Sequence, residues 1–246
     1  MNNTHIATAT STHPAQANLH PTIPAETELD MNVEWLPFTV RLVQSDQDLE
    51  KAVRIRHSAY ARHVPEFAKQ LQTPEALDTD RGIVIFLAES KVDGSPIGTM
   101  RIQTNRYAPL MLEQSLELPA WAKGCLLAEA TRLGVTQQGV GRLVKTALFK
   151  AFYQYCKAVN VQWMVVTGRS PIDRQYERLM FEDVYPGMGY IPLRHVNNMP
   201  HRVMALDVAG VEEKWRAANV PFTDFFFNKS HPDIETQAPS WLSLAA

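Results

Sequence analysis

Hydrophobic and polar positions change their period several times along this chain, and each change marks an element. Phe38, Val40 and Leu42 alternate with polar neighbours, which predicts a first strand in a folded part that begins near Val33. Ser45 opens a helix, with Asp48 three residues on as a variant capping box and Leu49, Ala52, Val53, Arg56, Ala59 and Tyr60 at helical spacing. Residues 64–79, broken by Pro65 and Pro74, read as a long loop of the kind that binds or covers a ligand. Residues 83–89 and 97–104 are apolar strands joined through Asp93, Gly94 and Pro96, an antiparallel hairpin. A fourth strand spans about 125–135. A long helix follows, with Leu143, Val144, Ala147, Leu148, Ala151, Phe152 and Tyr155 on one face and Arg142, Lys145, Lys150 and Lys157 on or near the other. Then come a fifth strand (161–167), a short helix (171–181) and two closing strands (190–193 and 202–208).

This pattern divides the chain into a disordered tail (1–32), one domain (33–208) and a helical or irregular extension (209–246) that includes Phe225, Phe226 and Phe227. With 246 residues and 45% hydrophobic content, the chain can bury one substantial core. A formal charge of −2 gives no global attraction to nucleic acid. Cys125 and Cys156 make neither a disulfide framework nor, with the histidines, a zinc-binding spacing, so no metal is expected and a reducing cytoplasm fits best. The opening residues lack the basic and apolar regions of a secretory signal, and no apolar run approaches the roughly 20 residues a spanning helix needs. A cytoplasmic protein with no stable membrane span is the expectation.

The strand, glycine turn and helix around 129–157 are the most informative stretch. A helix N-terminus offers unpaired N–H groups and partial positive charge, and Gly139 and Gly141 remove side chains that would keep a ligand from them. The spacing is not that of a dinucleotide loop, which needs a third glycine and a later acid, nor of a Walker loop, since no Gly-Lys-Ser/Thr follows. A phosphate or pantetheine cradle and an ordinary tight turn both remain open.

The order of elements over about residues 36–208 resembles the Gcn5-related N-acyltransferase (GNAT) fold. The resemblance implies an α+β domain with a mixed, mostly antiparallel sheet of six to seven strands flanked by helices. Its fourth and fifth strands would splay into a V that receives the pantetheine of an acyl thioester. Gly134, Val135, Gln138, Gly139, Val140, Gly141 and Arg142 then become the donor-binding positions. Arg56 with Tyr60, Asp78-Thr79-Asp80, Gly98-Thr99-Met100-Arg101 and Glu129-Ala130-Thr131-Arg132 more narrowly resemble the acyl-homoserine lactone (autoinducer) synthases and the related long-chain N-acyl amino acid synthases. The aromatic residue that the lactone synthases carry after the first helix has no clear counterpart here, which favours the amino acid branch. Thr136 stands where the GNAT loop usually carries Gln or Arg, which favours acyl carrier protein over coenzyme A as donor. A coenzyme A-dependent acetyltransferase, a lactone synthase and a non-catalytic thioester sensor are the alternatives.

Amide formation from a thioester needs a neutral amine, a route for its proton and a donor for the oxyanion. Glu129, on an apolar strand, is the candidate base, with an ion pair to Arg101 or Arg132 as the structural alternative. Arg101 and Arg132 are candidates to hold the carboxylate of an amino acid acceptor, or else to pair with Asp78, Asp80 or Glu129, while Arg56 organises the loop carboxylates. A backbone N–H near Gly134 or Val135 is expected to meet the oxyanion. The basic helix face reads either as solvated surface or as a dock for acidic acyl carrier protein. Met100, Met111, Leu112, Trp121, Trp163 and Phe181 are candidates to line an acyl tunnel. Cys125 as a nucleophile is the weaker idea beside its reading as a small hydrophobe.

Overall fold

The protein is described from a computed structural model, which covers Met1, residues 32–137 and residues 139–237. The expectations for residues 2–31, for Gln138 and for residues 238–246 fall outside the described residues.

The elements run β1 (Asn32–Val33), β2 (Phe38–Leu42), α1 (Asp46–Ala61), α2 (Pro65–Ala68), β3 (Ile83–Ser90), β4 (Pro96–Thr104), β5 (Leu127–Val135), α3 (Gly141–Ala158), β6 (Trp163–Gly168), α4 (Asp173–Arg178), β7 (Glu182–Asp183), β8 (Ile191–Leu193), β9 (Met199–Asp207), α5 (Val211–Ala217) and β10 (Lys229–Ser230). The main sheet has eight strands, ordered β2-β3-β4-β5-β6-β9-β7 with β8 on β9. Its pairings are antiparallel except β5 with β6. The strand beyond the expected six or seven is β7, whose two residues carry no readable period.

Alternation along β3 and β4 decides the layers. Phe86, Met100, Ile102 and Ala128 are buried in one cluster with Val144, Leu148, Ala151 and Phe152 of α3, whereas Ile85 and Leu87 pack with Leu49, Ala52 and Val53 of α1. Each large side chain buried this way contributes about 1.5–3 kcal/mol. Ser45 caps α1, its hydroxyl accepting from the Asp48 N–H at 3.2 Å. That helix presses on β5 at Gly134, where a Cβ would come within 3.1 Å of Ala59 and 3.2 Å of the Arg56 backbone.

The parallel pairing of β5 and β6 runs from Leu127 opposite Trp163 to Ala130 opposite Val166 and stops there. From Thr131 onward the two strands are no longer bonded, which opens the V.

The chain after Asp207 returns to the core. Trp215 of α5 is buried and its indole N–H donates to the Leu179 carbonyl at 3.0 Å. β10 pairs with β1, and Asp233 accepts the Leu36 N–H at 2.8 Å. This segment buries Lys150, which the helical pattern had placed on a basic face. Its ammonium donates to the Phe225 carbonyl at 2.8 Å and the Lys229 carbonyl at 2.7 Å, and lies 2.8 Å from His231 Nδ1. Lys145 is half-buried, in contact with Gln175, so of the four basic residues only Arg142 and Lys157 are exposed. The helical period shows which face is apolar, but cannot show that a distant segment covers part of the polar one.

Candidate active site

Three buried guanidiniums and two carboxylates form the base of the site. Arg56 of α1 grips Asp78 through two bonds, 2.9 and 3.0 Å, and Arg101 of β4 adds a third at 2.9 Å. Glu75 takes Nε and Nη2 of Arg132, each at 2.7 Å, and one bond of 3.1 Å from each of the other arginines. Burial alone would raise both carboxyls. The partners together outweigh it, Arg132 foremost at Glu75 and Arg56 foremost at Asp78, and both carboxyls stay below their ordinary range. Asp78 also accepts the Glu75 N–H at 2.9 Å, in the short turn Ala76–Thr79, so loop 64–79 is built as a carboxylate clamp. Phe67 of the same segment lies 5.1 Å beneath the Arg132 guanidinium. Arg56 and Asp78 stand where the sequence placed them, but Asp80 is exposed and takes no part in the cluster. Glu75, which does most of the pairing, was not anticipated.

Arg132 reaches this clamp because β5 bulges. Thr99 faces Gly134 while Arg101 faces Thr131, so one residue of β4 opposes two of β5, and Arg132 takes φ of 56°. Past the bulge, Thr136 N–H donates to the Ile97 carbonyl at 2.9 Å. Ladder alternation then turns the N–H and carbonyl of Val135 away from β4. Its carbonyl accepts from Arg62 at 2.7 Å, and its N–H points away from β4, toward the V.

Glu129 sits three residues before Arg132 on β5, its side chain wholly buried. One oxygen accepts the Leu112 N–H at 3.2 Å; the other has no hydrogen-bond partner among the described residues. Burial pushes its pKa up to about 7 against the opposing pull of the Leu112 N–H and Arg101. His195, in the turn Arg194–Val196 between β8 and β9, brings Nε2 to 3.8 Å from the unpartnered oxygen. Burial first, then Arg132, pushes His195 down to about 3, so the ring is neutral at physiological pH. His195 was missed because nothing in its neighbourhood carries a motif; only the β8–β9 fold-back brings it to β5.

A cavity of about 250 Å³ fills the V. Ala130 to Val135 form one wall; the others include Tyr60, Arg62 and His63 at the end of α1, Lys145 of α3, Arg169, Ile172, Gln175 and Tyr176 beyond β6, and His195 and His201. Arg62, Arg132, Lys145 and Arg169 therefore line it with no Asp or Glu. Arg101 and Glu129 do not line it. A second cavity of about 300 Å³ shares Leu133, Lys145, Ile172, Gln175 and Tyr176, and continues between Phe149, Leu179, Phe222 and Phe226, with Arg142 and Arg178 at its rim. Phe149 and Phe226 form its apolar end. Of the residues expected to line an acyl tunnel, Met100 and Leu112 are core, Trp121 is exposed against Trp163, and only Phe181 touches an apolar void.

The glycine loop divides into two roles. A Cβ on Gly141 would lie 2.4 Å from the Thr136 carbonyl, so this glycine serves the packing of the loop. Gly139 has nothing within 4 Å of its Cβ position and leaves open space before α3, whose Val140 N-cap supplies no side-chain bond to the first turn. No group of three or more His, Cys, Asp or Glu side chains among the described residues is arranged to hold a metal ion, and no described helix is long and apolar enough to cross a membrane.

A sheet split into a V around this cavity is the architecture of an acyltransferase with the Gcn5-related fold. Residues 51–207 match the family N-acyl amino acid synthase FeeM, and the chain belongs to that family of acyltransferases. The structure of FeeM, an N-acyl amino acid synthase from uncultured soil microbes, is 19% identical and superposes with a TM-score of 0.59 over 74% of this chain and 96% of that one. BjaI, a coenzyme A-dependent acyl-homoserine lactone synthase solved with SAM and isopentyl-CoA, is 16% identical, with a TM-score of 0.58 over 82% and 93%. No match was found among curated proteins.

Proposed function

We propose that the enzyme moves a long-chain fatty acyl group from an acyl thioester, carried on acyl carrier protein, to the amine of an amino acid. The observation that carries the acceptor is the charge of the V: four cationic side chains line it and no carboxylate does. An α-carboxylate entering there meets no carboxylate in the lining, and Arg132, fixed by Glu75 and lying over Phe67, is the guanidinium best placed to receive it. Arg101 acts from behind, fixing Glu75 and Asp78.

The donor reading is supported by the second cavity, whose Phe149, Leu179, Phe222 and Phe226 give an acyl chain apolar surface beyond the thioester. Arg142 and Arg178, exposed at its rim, offer an acidic carrier protein a contact that replaces the buried Lys150. In the reaction the neutral amine attacks the thioester carbonyl, the Val135 N–H receives the oxyanion, and the carbon–sulfur bond then breaks to release the thiol. Comparing an amino acid with its decarboxylated amine as acceptor tests the reading: the amino acid is expected to react at least tenfold faster at equal concentration of neutral amine. Equal rates overturn the acceptor assignment.

A further inference from the structure

We infer that His195 is the group that touches the attacking amine, and that Glu129 is a positioning residue behind it which stores the proton. The inference rests on the acyl-transfer reading and changes the chemistry within it.

The geometry separates the two residues. Both side chains are buried, but His195 lines the V and Glu129 does not, and His195 Nε2 lies 3.8 Å from the glutamate oxygen that lacks a partner. Neither ring nitrogen of His195 has a hydrogen-bond partner among the described residues, although both are buried. A histidine buried only to fill space is normally bonded at one nitrogen or both, so an unbonded ring whose Nε2 faces an unpartnered carboxylate oxygen calls for a functional explanation. The backbone around the ring is fixed. The His195 carbonyl accepts from Arg132 Nη2 at 3.3 Å, Asn197 closes the turn in a left-handed conformation, and the short turn Met111–Gln114, which supplies the Leu112 N–H to Glu129, packs against it.

The proton path follows. As nitrogen bonds to the thioester carbon and the carbonyl electrons move to oxygen, the ring nitrogen remote from Glu129 takes the amine's proton, and Nε2 passes its own to the Glu129 carboxylate. When the carbon–sulfur bond breaks, the thiolate leaves with the electron pair and the proton returns through the ring to give the thiol. Amine and thioester become amide and thiol with nothing left over. Burial supports this direction, since it disfavours imidazolium and favours a protonated Glu129. The charged and titratable groups facing the pair are Arg101 on β4, Arg132 on β5 and His201 on β9, with Glu75 and Asp78 neutralising the arginines.

The test compares His195→Ala, His195→Gln and Glu129→Gln with the parent enzyme, using acyl carrier protein or coenzyme A donors and an amino acid acceptor across pH 5.5–9. Both His195 variants are expected to lower kcat by about 100-fold or more with KM for the amino acid little changed, and added imidazole to restore part of the His195→Ala rate. Glu129→Gln should lower kcat less and remove the limb of the profile near pH 7. A parent enzyme that makes no amide from any thioester overturns the acyl-transfer reading and this inference with it. A parent that turns over, with folded His195 variants within about threefold of it and an unchanged pH profile, overturns this inference alone.

Discussion

Glu75 and Arg132, 57 residues apart in sequence, meet in a two-point ion pair with both contacts at 2.7 Å. The pair fastens the segment before β3 to the bulge of β5, and it sets a guanidinium that lines the V. Glu75 also bonds Arg56 and Arg101, so its removal leaves those two on Asp78 alone and takes from Arg132 its carboxylate partner. Glu75→Ala is expected to destabilise the protein by about 3–5 kcal/mol, the usual cost of breaking a buried pair from one side. Urea unfolding measures it; a loss under about 1 kcal/mol would show that water substitutes for the carboxylate.

Glu129 gives a pH dependence with a definite sign. Its folded-state pKa of about 7 lies above the ordinary 4.5, so between those values the native state binds more protons than the unfolded chain and stability falls as pH rises. Glu129→Gln, which resembles the protonated form, should match the parent near pH 4.5 and exceed its stability by up to about 3 kcal/mol above pH 8. His195, with its lowered pKa, contributes in the opposite direction between pH 3 and 6.5, and comparing the two proteins largely cancels it. Thermal melts at four pH values check this; a gap that does not widen with pH contradicts it.

Lys150 ties α3 to the chain after α5. Burial lowers its pKa to about 8, which leaves it charged at neutral pH among two carbonyls and His231. Lys150→Met keeps the length of the side chain and strips these acceptors of their partner, at about 2–4 kcal/mol. A melting point within a degree or two of the parent would mean that the C-terminal segment is held by Phe226 and Trp215 instead.

How far the sequence led depends on distance along the chain. The strand, glycine turn and helix around the site were readable because β5 and α3 are adjacent and their periods are strong, and the V itself followed from the family resemblance. Arg101, Glu129 and Arg132 were readable because charged residues inside apolar runs need partners, whereas Arg56 and Asp78 were singled out by the family resemblance. Counting those charges would have found Glu75, since three buried arginines cannot rest on one buried aspartate. His195 and Lys150 were not readable by any such count, because their surroundings are made by the β8–β9 hairpin and by residues 225–231, which reach them only in the folded chain.

Phe226 closes the apolar end of the second cavity and also borders a small apolar void beyond it, lined by Phe149, Met164, Leu179, Phe181 and Trp215. Phe226→Leu joins the two spaces at about 1–2 kcal/mol in stability. The preferred acyl chain is expected to lengthen by two or more carbons in competition among donors of mixed length. An unchanged preference would place the chain elsewhere.

The most direct test of acyl transfer is mass spectrometry of the products formed when the purified protein meets matched long-chain donors, one on acyl carrier protein and one on coenzyme A, with a panel of free amino acids. The account predicts an N-acyl amino acid together with stoichiometric free thiol, formed faster from the carrier-protein donor. No amide from either donor with any amino acid, under conditions where the protein is folded, would contradict it.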